Sequence, residues 1–543
     1  MFVEKLEQVL AADARWATNK RDSAACVPAN IRPLALPLRA MEHVAFARRL
    51  LVVLFLITIL AFWLEAAWDF AHAVDPTTGQ PLHLRDLRAT PAMVRSLASA
   101  FGGAYATMLA LLLTFISLAI PITANLYTPK LIEIFIHDPI NLFVICTCAI
   151  LAAHNLLAVS LSFDAWTAQL PFAIAVAGAI IGWLLLLPYY FYVVSFIDPL
   201  TIIQRVHRSL MRELDAAAAG RYPIAVSQQR VYQKIHNLGS VLLRASDRGD
   251  RDVTLDAVRT HLLEVARLRE VKPRLPSGFL QIDNDLLAGM SGDAAEMLSR
   301  ARNWPEHQVA SQLVFAFKRV LVTMPDGTSA MAQAVKNTAH AEAVAGNDEV
   351  FRLLLRVLNS FTREAIKKKD NAAACGVIYA YKALARRLLA DHPQYVPPMV
   401  HHLCFYAEFA RAQSGMNFTY ERVSYELAEL AERAHLRGVA AAAVLLDALL
   451  SLEGVEHSTG LVKSRAFLAG YFRERGTTAE LDRIVESLRT VPRETLGRAR
   501  REIVSVQDRA FWELNERGVD FDYLEPTRRE QVMAVLDAAD ALH

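Results

Sequence analysis

Two stretches free of Asp, Glu, Lys and Arg, Gly102 to Leu126 and Pro139 to Leu161, flank the polar hinge Asn125-Leu126-Tyr127-Thr128-Pro129-Lys130. A bilayer core takes about 20 apolar residues in a helix, so each is long enough to span it. In the first run Gly103, Thr107, Ala110, Thr114, Ser117, Pro121 and Asn125 follow at steps of four, three, four, three, four and four. That spacing is one helical face, small and hydroxylic, on a cylinder otherwise made of Leu, Ile and Phe. Such a face is expected to meet another helix or a water-filled path.

The same reading places a first span at residues 50–68, ending in an interfacial cluster of Trp63, Glu65, Trp68 and Asp69. A loop with Pro76, Gly79 and Pro81 leads to span two at about 104–126. Asp138-Pro139 supplies a capping carboxylate followed by a residue needing no amide donor, so span three runs 139–161. Span four covers 171–197, and Pro188 inside it is an expected kink. Pro121, Pro129 and Pro188 are the candidate hinges.

Ahead of the spans, residues 1–49 form an N-terminal segment. Phe2, Val3, Leu6, Val9, Leu10 and Trp16 in it are spaced as an amphipathic helix. Behind them, a second Asp-Pro at 198–199 opens a long region of Ala/Leu-rich helices, among them 229–245, 253–267, 308–322, 350–368, 372–389 and 420–436. Gly476 followed by Thr477-x-x-Glu480 reads as a helix stop and a capping box. Helices recur in pairs at about 35 to 45 residues without a shared consensus, an irregular helical-hairpin array. Val271-Lys272-Pro273-Arg274-Leu275-Pro276-Ser277-Gly278 divides a juxtamembrane part, 198–278, from the array proper, 279–543. The fold expected is an all-α membrane protein: a four-helix transmembrane bundle (50–197) plus a large cytoplasmic all-α, α-solenoid-like domain.

Composition adds little that contradicts this. Apolar residues are 54% of 543, since the long helical region dilutes the membrane part. The net charge of +2 gives no field for nucleic acid. The cysteines, Cys26, Cys146, Cys148, Cys375 and Cys404, form no C-x-x-C pair and no disulfide framework. Glu4 and Glu7 at the start are unlike a signal peptide. Four spans put both termini on one side. Arg39, Arg48 and Arg49 before span one and Arg205, Arg208 and Arg212 after span four favour the cytoplasm for it, against Arg85, Arg88 and Arg95 in the first external loop.

Candidate chemistry is sparse. His154 and Asn155 stand in the middle of span three, where a full charge costs about 2.5–3.5 kcal/mol. They read either as part of a polar path shared with Thr107, Thr114, Ser117 and Asn125, or as interhelical glue worth roughly 1 kcal/mol per bond. Gly178-x-x-x-Gly182 permits close helix packing within the bundle or between protomers. Lys367-Lys368-Lys369 and Arg498-Ala499-Arg500-Arg501 are solvated faces or lipid contacts. His401-His402-x-Cys404 lacks a second ligand pair, so no metal and no cofactor is expected. No phosphate-binding loop, nucleophile elbow or H-E-x-x-H motif is present, and no enzyme activity is expected.

Ile122-Thr123-Ala124-Asn125-Leu126-Tyr127-Thr128-Pro129-Lys130-Leu131-Ile132, with Phe135 and Asp138 beyond it, resembles a feature of one bacterial family of predicted inner-membrane proteins, a domain of unknown function. There the second span ends in an aromatic-[Ser/Thr]-Pro-[Arg/Lys]-Leu-[Leu/Ile] turn, after which an Asp precedes span three. The resemblance implies four N-terminal spans, a helical cytoplasmic tail and a multi-pass inner-membrane location with both termini cytoplasmic. The family's Ser-Pro-x-Ile-Asn-Asp-Pro segment has no counterpart in the second half of this chain. The functional expectation is an oligomeric channel or pore with a cytoplasmic regulatory domain. The alternative is a membrane-anchored scaffold whose array binds a protein partner.

Overall fold

The computed structural model describes residues 56–68, 89–126, 139–160, 162, 169–281, 291–454, 457–510 and 520–541, with the backbone alone at 115–116, 118–126, 186–187 and 194–197. Among them are nineteen α-helices and no strand. The chain divides into two compact units, residues 1–118 with 136–191, and residues 119–135 with 192–543.

The helices of the first unit are α1 (Leu56–Trp68), α2 (Pro91–Leu126, up to residue 118), α3 (Pro139–Ser160) and α4 (Gln169–Ile197, up to residue 191) among the described residues. Pro91–Thr114, Ile140–Ser160 and Gln169–Val193 are long and apolar enough to cross a membrane, and Leu56–Trp68 is a shorter apolar helix. Phe62 and Ala66 of α1 pack with Ala98 of α2 and Ala158 of α3. Ala89 and Val94 pack with Phe172 of α4. Gln169 clamps the start of α2, its amide nitrogen donating to Ala89 O (2.9 Å) and its oxygen accepting from Ala89 N (3.0 Å). The outside is as apolar as the inside: Leu60, Leu64, Leu111, Leu156, Trp183 and Leu184 are each 62–69% exposed. Water does not tolerate such a surface, and acyl chains do. This is an all-α membrane protein.

Helix α2 begins thirteen residues before the expected start of span two, because Thr90 caps it through Met93 N (3.2 Å) and Pro91 occupies its first turn. Span three starts at Pro139, where the Asp-Pro signal put it. Helix α4 runs unbroken through Pro188. The N-terminal segment and Pro129 lie outside the described residues, as do the side chains of Pro121 and Asn125.

The second unit holds α5 (Pro199–Ala218), α6 (Ile224–Arg248), α7 (Arg251–Val271), α8 (Gly292–Ala301), α9 (Trp304–Thr323), α10 (Gly327–Val344), α11 (Asp348–Lys367) and α12 (Asn371–Asp391). It continues with α13 (Val396–Arg411), α14 (Asn417–Leu436), α15 (Ala441–Ser451), α16 (Thr459–Arg475), α17 (Thr478–Leu488), α18 (Arg493–Ser505) and α19 (Pro526–Ala541). Asp198 caps α5, accepting from Thr201 N (2.9 Å) and Thr201 Oγ1 (2.8 Å). Each helix packs on near neighbours in the chain: α6 on α5, α7 and α9; α12 on α10, α11 and α14; α16 on α14, α17, α18 and α19. Nearest-neighbour packing of this kind defines a helical array.

The expected boundary at 272–278 is packed into the second unit. Those residues form short turns whose neighbour Phe279 is buried, with its carbonyl accepting from Trp304 Nε1 (3.0 Å) and Gln228 Nε2 (2.9 Å), and one core runs from Ile202 to Ala539. Gly476 does end α16 in the left-handed region (φ 72°), and Thr477 precedes α17. The Thr477 hydroxyl, however, donates back to Phe472 O (3.2 Å) and makes no bond to the α17 amides. The hydroxyl joins the Thr477 amide (3.1 Å) on a carbonyl of the last turn of α16.

Candidate functional site

Helix α3 turns His154 and Asn155 inward, and both are buried. Asn155 Nδ2 donates to Leu151 O (2.7 Å), and its Cβ comes so near α2 that a Cβ on Gly102 would lie 3.3 Å away. His154 Nε2 lies 3.0 Å from Pro171 O on α4. A carbonyl only accepts, so this contact assigns the proton to Nε2. The edge of Phe62 packs on the imidazole, with centroids 5.5 Å apart.

The third member is a residue read from the sequence as interfacial. Trp63 and Trp68 are exposed, and Glu65 is not. Its side chain is 17% exposed, with Oε2 3.7 Å from His154 Nε2. The signal was present: Phe62, Glu65 and Ala66 share a face at i, i+3 and i+4, and Phe62 and Ala66 are core. Two titratable side chains thus meet inside the membrane unit, where ionisable groups are functional candidates by default.

The hydroxyl stripe of α2 goes elsewhere. Thr107, Thr114 and Ser117 are exposed. Thr107 Oγ1 donates to Gly103 O (2.9 Å) and Thr114 Oγ1 to Ala110 O (2.8 Å), so these donors are satisfied within the helix. The buried face of α2 is Val94, Ala98 and Tyr105, and Thr107 stands about 200° round the helix from Tyr105. His154 and Asn155 are thus buried between helices, while Thr107, Thr114 and Ser117 stand on the exposed side of α2.

The glycine pair of α4 packs inside the chain. Tyr105 donates its hydroxyl to Gly178 O (2.6 Å). A Cβ on Gly182 would lie 2.2 Å from Tyr105 Oη, and one on Gly178 would lie 2.6 Å from Leu151 Cδ2. The close approach that the motif permits is taken by α2 and α3.

The array buries charge of its own. Glu426 is fully buried and bridges two cations, Oε2 to Lys382 Nζ (2.9 Å) and Oε1 to Arg422 Nε (2.8 Å). Arg465, 2% exposed, donates to the carbonyls of Leu449 (3.3 Å), Leu450 (3.0 Å) and Leu452 (2.9 Å), satisfying the C-terminal end of α15. His402 Nδ1 is taken by the Tyr381 hydroxyl (3.0 Å), and burial pushes the Cys404 thiol up to about 11. Among the described residues no three His, Cys, Asp or Glu side chains are grouped as a metal site. Lys367, Lys368 and Lys369 are exposed at the end of α11, while Arg498 and Arg500 pair with Glu494 (3.3 Å) and Asp537.

Burial, and His401 beside it, hold the pKa of His402 below its ordinary 6.5. A lowered pKa in the fold means stability that is present above 6.5 and lost as pH falls through the depressed value. We expect thermal unfolding in detergent to show that acid-side loss, and His402→Gln to reduce it. An unchanged pH profile in the variant contradicts the assignment.

Residues 45–255 match the model of the family described as "Predicted membrane protein (DUF2254)", a family of unknown function, in agreement with the resemblance of the turn after span two. No curated protein and no solved structure matches the chain.

Proposed function

We propose, with the family match as premise, that this membrane protein is the subunit of an oligomeric channel or pore and that its helical array is the regulatory domain. The observation that carries the reading is the uncovered face of α2. Gly103, Thr107, Ala110, Thr114 and Ser117 are all exposed, on a unit whose exterior is otherwise large and apolar. A ring of copies that turns this face inward gives a path lined by hydroxyls and small side chains, polar enough to hold water. In the same reading, the arginines that begin the array, Arg205, Arg208 and Arg212, favour the cytoplasmic side of a bacterial inner membrane for it.

The test is conductance in planar bilayers. The wild-type protein is expected to conduct, and Thr114→Leu, which removes a hydroxyl and narrows the path, to lower single-channel conductance severalfold without loss of protein. A silent bilayer with an intact oligomer or partner complex favours the scaffold reading.

A further inference from the structure

The array carries a side-chain receptor that its own C-terminal strap fills. Residues 520–525 are non-helical, ahead of α19, and cross the faces of α14 and α16. The Phe521 ring lies 5.4 Å from the Tyr425 ring, with Arg422 Cζ 4.4 Å above it. Asp522 Oδ1 accepts from the Tyr425 hydroxyl (2.6 Å), and Oδ2 accepts from Lys463 Nζ. The strap holds its own turn, the Asp520 carboxylate accepting from Asp522 N (2.8 Å). What the array recognises is therefore an aromatic ring followed at once by a carboxylate.

Two features separate this from ordinary core. Residues 520–524 are all half-buried, whereas Arg422 and Lys463 beneath them are 3% and 7% exposed. Each of those cations also has a carboxylate supplied by the array itself: Glu426 on Arg422 (2.8 Å), whose contact with the strap is the Phe521 ring, and Glu502 on Lys463 (2.8 Å), beside the strap's Asp522. Removal of the strap strands no buried charge, the usual obstacle to emptying such a site. Recognition through side chains on rigid helices is also how a groove binds an extended peptide of another protein.

We propose that Arg422, Tyr425 and Lys463 form a binding site for an aromatic–carboxylate segment of a partner protein, and that Phe521 and Asp522 occupy it in cis until that segment displaces them. The site stands apart from whatever the membrane unit conducts, so failure of the channel reading leaves it intact.

The experiment uses the full chain in detergent and a fluorescent peptide of residues 520–524, Asp-Phe-Asp-Tyr-Leu. The double variant Phe521→Ala, Asp522→Asn is expected to bind it at least tenfold more tightly than wild type, and Lys463→Met in that background to abolish binding. A folded double variant that ignores the peptide overturns the proposal, as does binding indifferent to Lys463→Met. Should the double variant fail to fold, hydrogen exchange of wild type decides. Local opening of 520–524, faster than exchange of α14 and α16, supports the proposal, and exchange only by global unfolding overturns it.

Discussion

Gly182→Leu is expected to break up the membrane unit. Any Cβ at this position lies 2.2 Å from Tyr105 Oη, 2.6 Å from Cε1 and 2.8 Å from Cζ, so the tyrosine ring must leave. With it goes the 2.6 Å bond to Gly178 O. Overpacking of this kind costs about 1–3 kcal/mol, and loss of an interhelical hydrogen bond adds roughly 1 kcal/mol. One turn earlier, a Cβ on Gly178 would lie 2.6 Å from Leu151 Cδ2, so the same face of α4 has no room to spare. Thermal aggregation in detergent measures the effect. Gly103→Ala on the open face of α2, where a Cβ meets nothing within 4 Å, is the control expected to leave the monomer fold unchanged. Equal behaviour of the two variants contradicts the packing described.

Glu426→Ala has a comparable effect in the array. The carboxylate is fully buried and its two oxygens serve different cations, so one substitution removes the shared partner of Lys382 and Arg422. Lys382 retains Glu429 (2.6 Å), which limits the damage on that side. Removing one member of a buried ionic network costs about 3–5 kcal/mol, because the desolvated charge left behind is uncompensated. Chemical denaturation followed by circular dichroism is expected to show that loss, with Glu426→Gln intermediate because it keeps the volume and one acceptor. A loss below 1 kcal/mol contradicts the bridging role.

Much of this architecture was legible in residue order. Apolar run length marked the three helices that are long and apolar enough to cross a membrane, and the two Asp-Pro pairs marked the starts of α3 and α5. Helical periodicity found α6, α7, α9, α11, α12 and α14, with ends displaced by a few residues. What escaped was decided by tertiary contact. Glu65 looked interfacial because tryptophans flank it, and only the fold brings it to His154, eighty-nine residues on. The early start of α2 was hidden because hydropathy governed the span, while Thr90 and Pro91 governed the helix. Gly103, Thr107, Ala110, Thr114 and Ser117 of the α2 stripe are all exposed, but periodicity says only which residues share a face and is silent on what faces them. The Phe521–Asp522 strap had no signature, since its partners on α14 and α16 lie about 60–100 positions away.

In the proposed channel, the hydroxyl face of α2 borders water between copies of the chain. Thr114→Cys in proteoliposomes, treated with a membrane-impermeant thiol reagent, tests it directly. Leu184→Cys on the apolar outside of α4 serves as the lipid-facing reference, and wild type gives the background from the native thiols. The account predicts rapid labelling at position 114 and none above background at 184. Equal protection of both positions places Thr114 among acyl chains or dry helix contacts, and the conduit with it.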